Sequence, residues 1–417
     1  MSRLVIRGRN KLKGEVTVGG SKNSSVALVP AALLADGTGV IDNLPMIRDV
    51  RVFAQILSDL GAVVSVEGNS MAISPNGFSS HVAPYDLVKK LRASYYLMGV
   101  LLAKFGRAEV GLPGGCDIGP RPIDQHIKGF KALGAQASVQ GGVVKLYAEK
   151  LLGAHMYLDI PSVGATINIM LAASRAEGTT TIENAAKEPH VVDLANFLNA
   201  MGARVLGAGT DVVRIRGVSK MNSANHSVIP DDMEAATFMM AAVATAGDVL
   251  VRNVITKHLE PITAKLKEAG ATITENGDYI RVQGPDRPRP INVKTLPYPG
   301  FPTDAQQPLV SVLSRADGVS VVQESMYDNR LGYVSELVKM GAQIKVEGRS
   351  AIIEGVPRLV GAPVKVHDLR AGASLVIAGL SADGVTEVNG MEIVQRGYEM
   401  IPEKLKGLGA DVTLECE

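Results

Sequence analysis

The sequence predicts an α/β (α+β) fold in which one helix-strand-helix-hairpin unit occurs six times, three copies to each of two domains. Three observations carry this. An apolar residue followed by Gly-Ala recurs at Leu60-Gly61-Ala62, Leu133-Gly134-Ala135, Met201-Gly202-Ala203, Ala269-Gly270-Ala271, Met340-Gly341-Ala342 and Leu408-Gly409-Ala410, about every 70 residues, a period longer than a solenoid repeat and suited to a small α/β unit. A second landmark, at Asp36-Gly37, Phe105-Gly106, Glu177-Gly178, Ala246-Gly247, Asp317-Gly318 and Asp383-Gly384, follows each Ala/Leu/Met-rich segment and precedes β-branched runs such as 179–182 and 319–322. The first helices of the units, such as 166–173 and 234–244, are apolar nearly all round, so they belong inside the domain with the sheets outside them, an inside-out arrangement.

Taken along the chain, residues 4–6 read as a strand that either domain can claim. In the second helix of each unit the apolar spacing marks one face, as at Ile123, Ile127 and Phe130, at Leu259, Ile262 and Leu266, and at Ile401, Leu405 and Leu408. Gly-Ala then stops the helix. After each stop comes alternation around a turn, as in 63–66 and 71–73, which reads as a hairpin. The polar stretch 219–227 reads as a loop and separates three units from three. The domains are therefore expected at 22–229 and at 1–21 with 230–417, hinged near residues 21 and 229, with the ligand site in the cleft between them.

The 417 residues carry a net charge of +1 and no Trp. A balance so close to neutral argues against nucleic-acid and membrane-surface binding, and leaves any anionic ligand to locally gathered Arg and Lys. Neither a signal-peptide core nor a transmembrane run is read. Two cysteines 300 positions apart, Cys116 and Cys416, give neither a disulfide framework nor a zinc site, so the cytoplasm is the expected compartment. No histidine spacing suits a metal and no dinucleotide fingerprint is complete, so neither metal nor nicotinamide cofactor is expected.

The chemistry centres on 113–124, Pro-Gly-Gly-Cys-Asp-Ile-Gly-Pro-Arg-Pro-Ile-Asp. Glycines let backbone approach a ligand, and Pro120 and Pro122 lead into a helix whose N-terminal amides favour anions beside Arg121. A thiol at Cys116 in that setting has a lowered pKa and suits acid, base or nucleophilic work, although an isolated cysteine is more often buried and inert. Lys22, in Gly-Gly-Ser-Lys-Asn-Ser at the start of the first helix, fits an anion contact as well as a solvated lysine. Arg92 and Arg370 open equivalent apolar helices, where ligand binding or pairing across a domain interface accounts for them better than capping. Asp304 is sufficient as the cap of its helix and can also serve chemistry, and Asp231 reads as a cap or a domain-pairing residue.

Lys22-Asn23, Leu91-Arg92-Ala93-Ser94, the whole of 113–124, Ser162-Val163-Gly164-Ala165-Thr166, Phe301-Pro302-Thr303-Asp304 and Arg396-Gly397-Tyr398, in order along a six-unit chain, resemble the bacterial UDP-N-acetylglucosamine 1-carboxyvinyltransferases. Ser94 to Met98 and Gln125-His126-Ile127 look most like the second paralogue of low-GC Gram-positive bacteria. The resemblance implies two inside-out α/β barrel domains. It also implies enolpyruvyl transfer from phosphoenolpyruvate to the 3-hydroxyl of UDP-N-acetylglucosamine with release of phosphate, the first committed step of peptidoglycan precursor synthesis. On it, Cys116 is the acid toward the substrate methylene and can form a covalent pyruvate-derived adduct, and Asp304 is the base toward the sugar hydroxyl. Lys22, Arg121 and Arg396, with Arg370 close by, hold the phosphate and carboxylate. Asn23 belongs with Lys22 at the substrates, and Arg92, Pro122, Ile123, Asp124, Gln125, Ser162, Val163 and Met326 face the uridine nucleotide. The substrates are small molecules, with no cofactor and no metal. His190, Asp232 and the run 328–333 depart from the pattern. The rival readings are a 3-phosphoshikimate 1-carboxyvinyltransferase, which shares fold and reaction but lacks the cysteine loop, and a non-catalytic UDP-sugar-binding paralogue.

Overall fold

The computed structural model describes residues 2–112 and 122–416, which fall into two compact units, one of residues 2–19 with 230–416 and the other of 20–112 with 122–229. The cuts come at 19/20 and 229/230, the first of them two residues ahead of the expected 21/22. Gly20 and Ser21 belong with the 22–229 segment because a side chain at Gly20 would collide with the Asn43 carbonyl, the Ser21 amide donates to the Ile229 carbonyl, and the Ser21 hydroxyl caps the first helix.

In the unit of 230–416 the helices Asp232–Ala244, Thr303–Leu313 and Leu369–Ser381 pack on one another, and nearly every residue in them is buried. A helix apolar on all sides has no solvent face to offer, so it becomes the interior, and amphipathic strands cover it. The 20–229 unit repeats the plan around Lys22–Ala31, Leu97–Phe105 and Val163–Ala173. Each unit holds its own apolar core.

Every sheet but that of the sixth copy is built on the hairpin expected from sequence, and the hairpin is only part of it. Five of the six sheets have four strands, the extra one being a short strand parallel to the strand between the two helices, such as His155–Tyr157 on Thr179–Glu183 or Asn292–Lys294 on Val319–Gln323. The stretch 219–227 is therefore not all loop, since Asn225–Ser227 pairs in parallel with Gly39–Asp42. Likewise Lys13–Thr17 pairs with Asp248–Arg252.

The sixth copy departs most from expectation. One strand follows its Gly-Ala stop, Asp411–Cys416, and its hairpin partner is Ser2–Arg7 from the far end of the sequence. This strand lies between Val385–Asn389 and Asp411–Cys416, antiparallel to both, in the place that Ser350–Glu354 takes between its neighbours in the fifth copy. Leu4 and Ile6 are wholly buried there, which assigns the strand to the 230–416 unit. Cys416 stands opposite Ser2 in this ladder with its side chain exposed. Among the described residues no helix is long and apolar enough to cross a membrane.

Candidate active site

Within the 230–416 unit the three central helices begin close together, and their first turns are charged. Asp231 caps the first, its Oδ1 accepting from the Glu234 amide at 2.7 Å. Asp368 caps the third, accepting from the amides of Arg370 and Ala371 at 2.9 and 3.0 Å. Asp304 does not cap the second. The cap position is Pro302, and the Asp304 carboxylate is drawn away between two guanidiniums: Arg330 Nη2 donates to Oδ1 at 2.7 Å and Arg370 Nε to Oδ2 at 3.1 Å. Both arginine side chains are under 5% exposed, whereas Asp304 keeps 30%. Further along this helix stands Pro308, so the amide that would donate to the Asp304 carbonyl does not exist.

Arg370 also lies 5.2 Å from the ring centroid of Tyr398, whose hydroxyl is 2.8 Å from Thr237 Oγ1 on the first helix. Burial alone would raise the Asp304 pKa, but the Arg330 and Arg370 charges outweigh it and hold the carboxyl well below the usual carboxylate range. Asp232, half-buried, goes the other way: burial first, then the negative charges of Asp231 and Asp304, push it up to about 7 against the pull of Arg370. Arg396 follows the short helix Met391–Val394 and is half-buried. Met326, also half-buried, is fixed through its amide, which donates to Glu324 Oε1 at 2.7 Å.

In the 20–229 unit Lys22 is the first residue of its helix and is not simply solvated, since its Nζ lies 3.4 Å from the buried Asp49 carboxylate. Asn23 beside it is half-buried. Arg92 opens the short 3-10 turn Arg92–Tyr96, which runs into Leu97–Phe105, and its buried Nη2 has no hydrogen-bond partner among the described residues. Ser162 caps the helix of Val163–Ala173 by accepting from the Ala165 amide at 3.3 Å. Cys116 and Arg121 lie outside the described residues, and Pro122 and Ile123 lead into the helix Asp124–Ala132.

The expected face of that helix packs inward, with Phe130 fully buried and Ile123 and Ile127 partly buried against the core. Gln125, His126 and Gly129 are buried as well, which the sequence did not suggest, because polar partners from elsewhere satisfy the first two. Gln125 Nε2 donates to Asp124 and Asp159 at 2.8 and 2.9 Å, and its Oε1 accepts from the Asp159 amide at 2.9 Å. The His126 ring meets Asn168 Nδ2 at 2.9 Å, and Asn168 also donates to the Tyr95 carbonyl and accepts from the Gly99 amide. An amide nitrogen can only donate, so His126 Nδ1 accepts and the proton of the neutral ring sits on Nε2. A side chain at Gly164 would come within 2.9 Å of this ring. Sequence reasoning missed the roles of Arg330, His126, Asn168 and Asp159. Arg330 stands in the run Asp328-Asn329-Arg330-Leu331-Gly332-Tyr333, where nothing local marks it as a partner of Asp304.

The family model described as EPSP synthase (3-phosphoshikimate 1-carboxyvinyltransferase) matches residues 6–405. A protein of Caldanaerobacter subterraneus subsp. tengcongensis named UDP-N-acetylglucosamine 1-carboxyvinyltransferase 3 is 55% identical over 412 residues, 99% of each chain. One from Clostridium acetobutylicum, named UDP-N-acetylglucosamine 1-carboxyvinyltransferase 2, is 54% identical over the full length of both. The chain belongs to the UDP-N-acetylglucosamine 1-carboxyvinyltransferase family. Among solved structures, the enolpyruvyl transferase NikO from Streptomyces tendae superposes with a TM-score of 0.90 at 25% identity over 99% of both chains. EPSP synthase from Acinetobacter baumannii, at 22% identity and a TM-score of 0.78 over the whole of both chains, shares the fold. Like those relatives, this chain is an enolpyruvyl transferase by family.

Proposed function

We propose that this chain transfers the enolpyruvyl group of phosphoenolpyruvate to the 3-hydroxyl of UDP-N-acetylglucosamine and releases phosphate, the first committed step of peptidoglycan precursor synthesis. The identity of more than half the residues to full-length relatives of that name carries the reading, and Cys116, Lys22, Asp304 and Arg396, to which the resemblance gives the chemistry, are present. Both substrates are small charged molecules of the cytoplasm, and the reaction needs no cofactor or metal.

The sugar oxygen bonds to C2 of phosphoenolpyruvate while Cys116 gives a proton to C3, and the hydroxyl proton passes to Asp304. The thiolate then takes a proton back from the methyl group, the C2–O bond to phosphate breaks, and the proton held by Asp304 leaves with the phosphate. A carboxylate held between two guanidiniums is charged at every working pH but is a weak base. Asp304 therefore first orients the hydroxyl by accepting its hydrogen bond, and takes the proton late, when the forming C–O bond has made that hydroxyl acidic. Lys22, Arg121, Arg370 and Arg396 would meet the phosphate and carboxylate. Arg92, Asn23, Ser162, Val163, Met326 and residues 122–125 would hold the nucleotide. In the 122–125 segment the internally satisfied Gln125 serves by fixing the helix start.

Phosphate release from phosphoenolpyruvate that depends on UDP-N-acetylglucosamine is the expected result. Turnover with shikimate 3-phosphate instead would replace this reading with its rival, and calorimetric binding of the sugar nucleotide without turnover would leave a non-catalytic paralogue. Cys116→Asp should keep turnover and escape alkylation by fosfomycin, whereas Cys416→Ser should change neither.

A further inference from the structure

We infer that Glu324 and Thr303 are positioning residues that set the Arg330 fork on Asp304 and tie it to the turn carrying Met326. The inference rests on the proposed role of Asp304 toward the sugar hydroxyl. Glu324 is 1% exposed and follows the strand Val319–Gln323. Its Oε1 accepts from the Thr295 hydroxyl at 2.9 Å and from the amides of Met326 and Tyr327 at 2.7 and 3.3 Å. Its Oε2 accepts from the Thr303 hydroxyl at 2.7 Å.

The direction of that last bond sets everything beyond it. A hydroxyl has one proton, and Thr303 spends it on a carboxylate that can only accept. The lone pairs of Thr303 are thereby left for Arg330, whose Nη1 donates to them at 2.9 Å, and Nη2 of the same planar fork then reaches Asp304. A guanidinium held at both Nη groups cannot swing without breaking two bonds. Thr303 and Asp304 are the first two residues of one helix, so the fork clamps the helix start while Glu324 clamps the turn, and one buried carboxylate serves both.

Two substitutions separate these duties. Thr303→Val keeps the shape but removes the hydroxyl, leaving Glu324 Oε2 and Arg330 Nη1 without each other's mediator and the Met326 turn intact. Glu324→Gln must aim its NH2 either at the two amides, where donor meets donor, or at Thr303, whose hydroxyl must then turn its proton away from residue 324 and accept there beside Arg330. For Thr303→Val, kcat with UDP-N-acetylglucosamine should fall by roughly tenfold to a hundredfold while both KM values stay within about threefold, the scale of a misplaced reacting group. Thr303→Ser should recover most of the loss. Glu324→Gln should lower kcat similarly and in addition raise KM for the sugar nucleotide. Nitrogen-15 spectra of the Arg330 guanidinium give a readout independent of turnover: separate, slowly rotating Nη groups in the wild type and Thr303→Ser, averaged ones in Thr303→Val. Distinct Nη groups in Thr303→Val, or a Thr303→Ser enzyme as impaired as Thr303→Val, would overturn the inference. Absence of turnover in the wild type would instead sink the proposed reaction and leave the guanidinium spectra to decide this one.

Discussion

Oδ1 of Asp304 lies 2.7 Å from Nη2 of Arg330, and the two side chains differ sharply in their access to water. That asymmetry orders the cost of breaking the cluster. Asp304→Ala leaves two buried guanidiniums, those of Arg330 and Arg370, with no carboxylate between them, and should destabilise the protein by about 3 kcal/mol or more. Arg330→Met leaves a carboxylate that still has Arg370 and solvent, and should cost about 1–2 kcal/mol. Urea melts at neutral pH check the order. The Asp304 pKa is depressed from the ordinary 3.8, so its share of stability is present above that value and is lost only as pH falls below it. The gap between wild type and Asp304→Ala should hold down to about pH 4 and narrow beneath it.

Gly164 stands where a Cβ would be 2.9 Å from two atoms of the His126 ring and 3.1 Å from the Tyr95 hydroxyl. The ring cannot yield freely because Asn168 holds its other side. Gly164→Ala should therefore lower stability by about 1–3 kcal/mol, the usual cost of overpacking, and loosen the helix start that carries Ser162 and Val163. Gly164→Ala with His126→Ala should recover part of the loss in thermal melts.

The repeats were legible because each is signed by local chemistry, a glycine stop after a helix or an Asp-Gly turn before a strand. The parallel strands of three residues, such as His155–Tyr157 and Pro363–Lys365, were not, since three residues are too few to show alternation. The place of residues 2–7 with 230–416 was expected, but not their pairing in the sixth sheet: the pattern says strand, and nothing local says with which partner. Asp304 carries the local signature of a cap, yet its partners Arg330 and Arg370 lie 26 and 66 positions away, and two cations outbid one backbone amide. Gln125 and His126 look like a polar face until Asp159 and Asn168 are brought to them.

His126 is buried, and burial, only partly offset by the Asp124 charge, pushes it down to about 4 from 6.5. The unfolded chain thus binds a proton there before the folded one does. Stability contributed by the neutral ring is full above about pH 6.5 and declines as pH falls toward 4, by about 3 kcal/mol in all. In His126→Gln, which keeps an acceptor for Asn168, that slope should vanish. Denaturant melts of both proteins between pH 4 and 7 would show the difference, and parallel curves would show that the ring is not buried neutral.

Asp232 has the opposite sign. Its carboxyl is pushed up to about 7 by burial and by Asp231 and Asp304, so the folded state favours the protonated form and loses stability as pH rises from 3.8 toward 7. Asp232→Asn should melt higher than the wild type at pH 8 and at the same temperature near pH 4. Scanning calorimetry at the two pH values checks it, and equal melting temperatures at pH 8 would contradict the assignment.

Residues at the start of a sequence commonly tolerate removal, but Ser2–Arg7 is a strand with neighbours on both sides. Without it, Val385–Asn389 and Asp411–Cys416 lose their shared partner, the side chains of Leu4 and Ile6 leave an apolar core, and two unpaired edges face water. Deletion of residues 1–7 should abolish cooperative unfolding of 230–416 and open it to protease, while Arg7→Ala, at an exposed position of the same strand, should change little. Limited proteolysis with mass spectrometry distinguishes the outcomes, because only a central strand would make a seven-residue trim expose cleavage sites near 385–416, almost four hundred positions away in sequence.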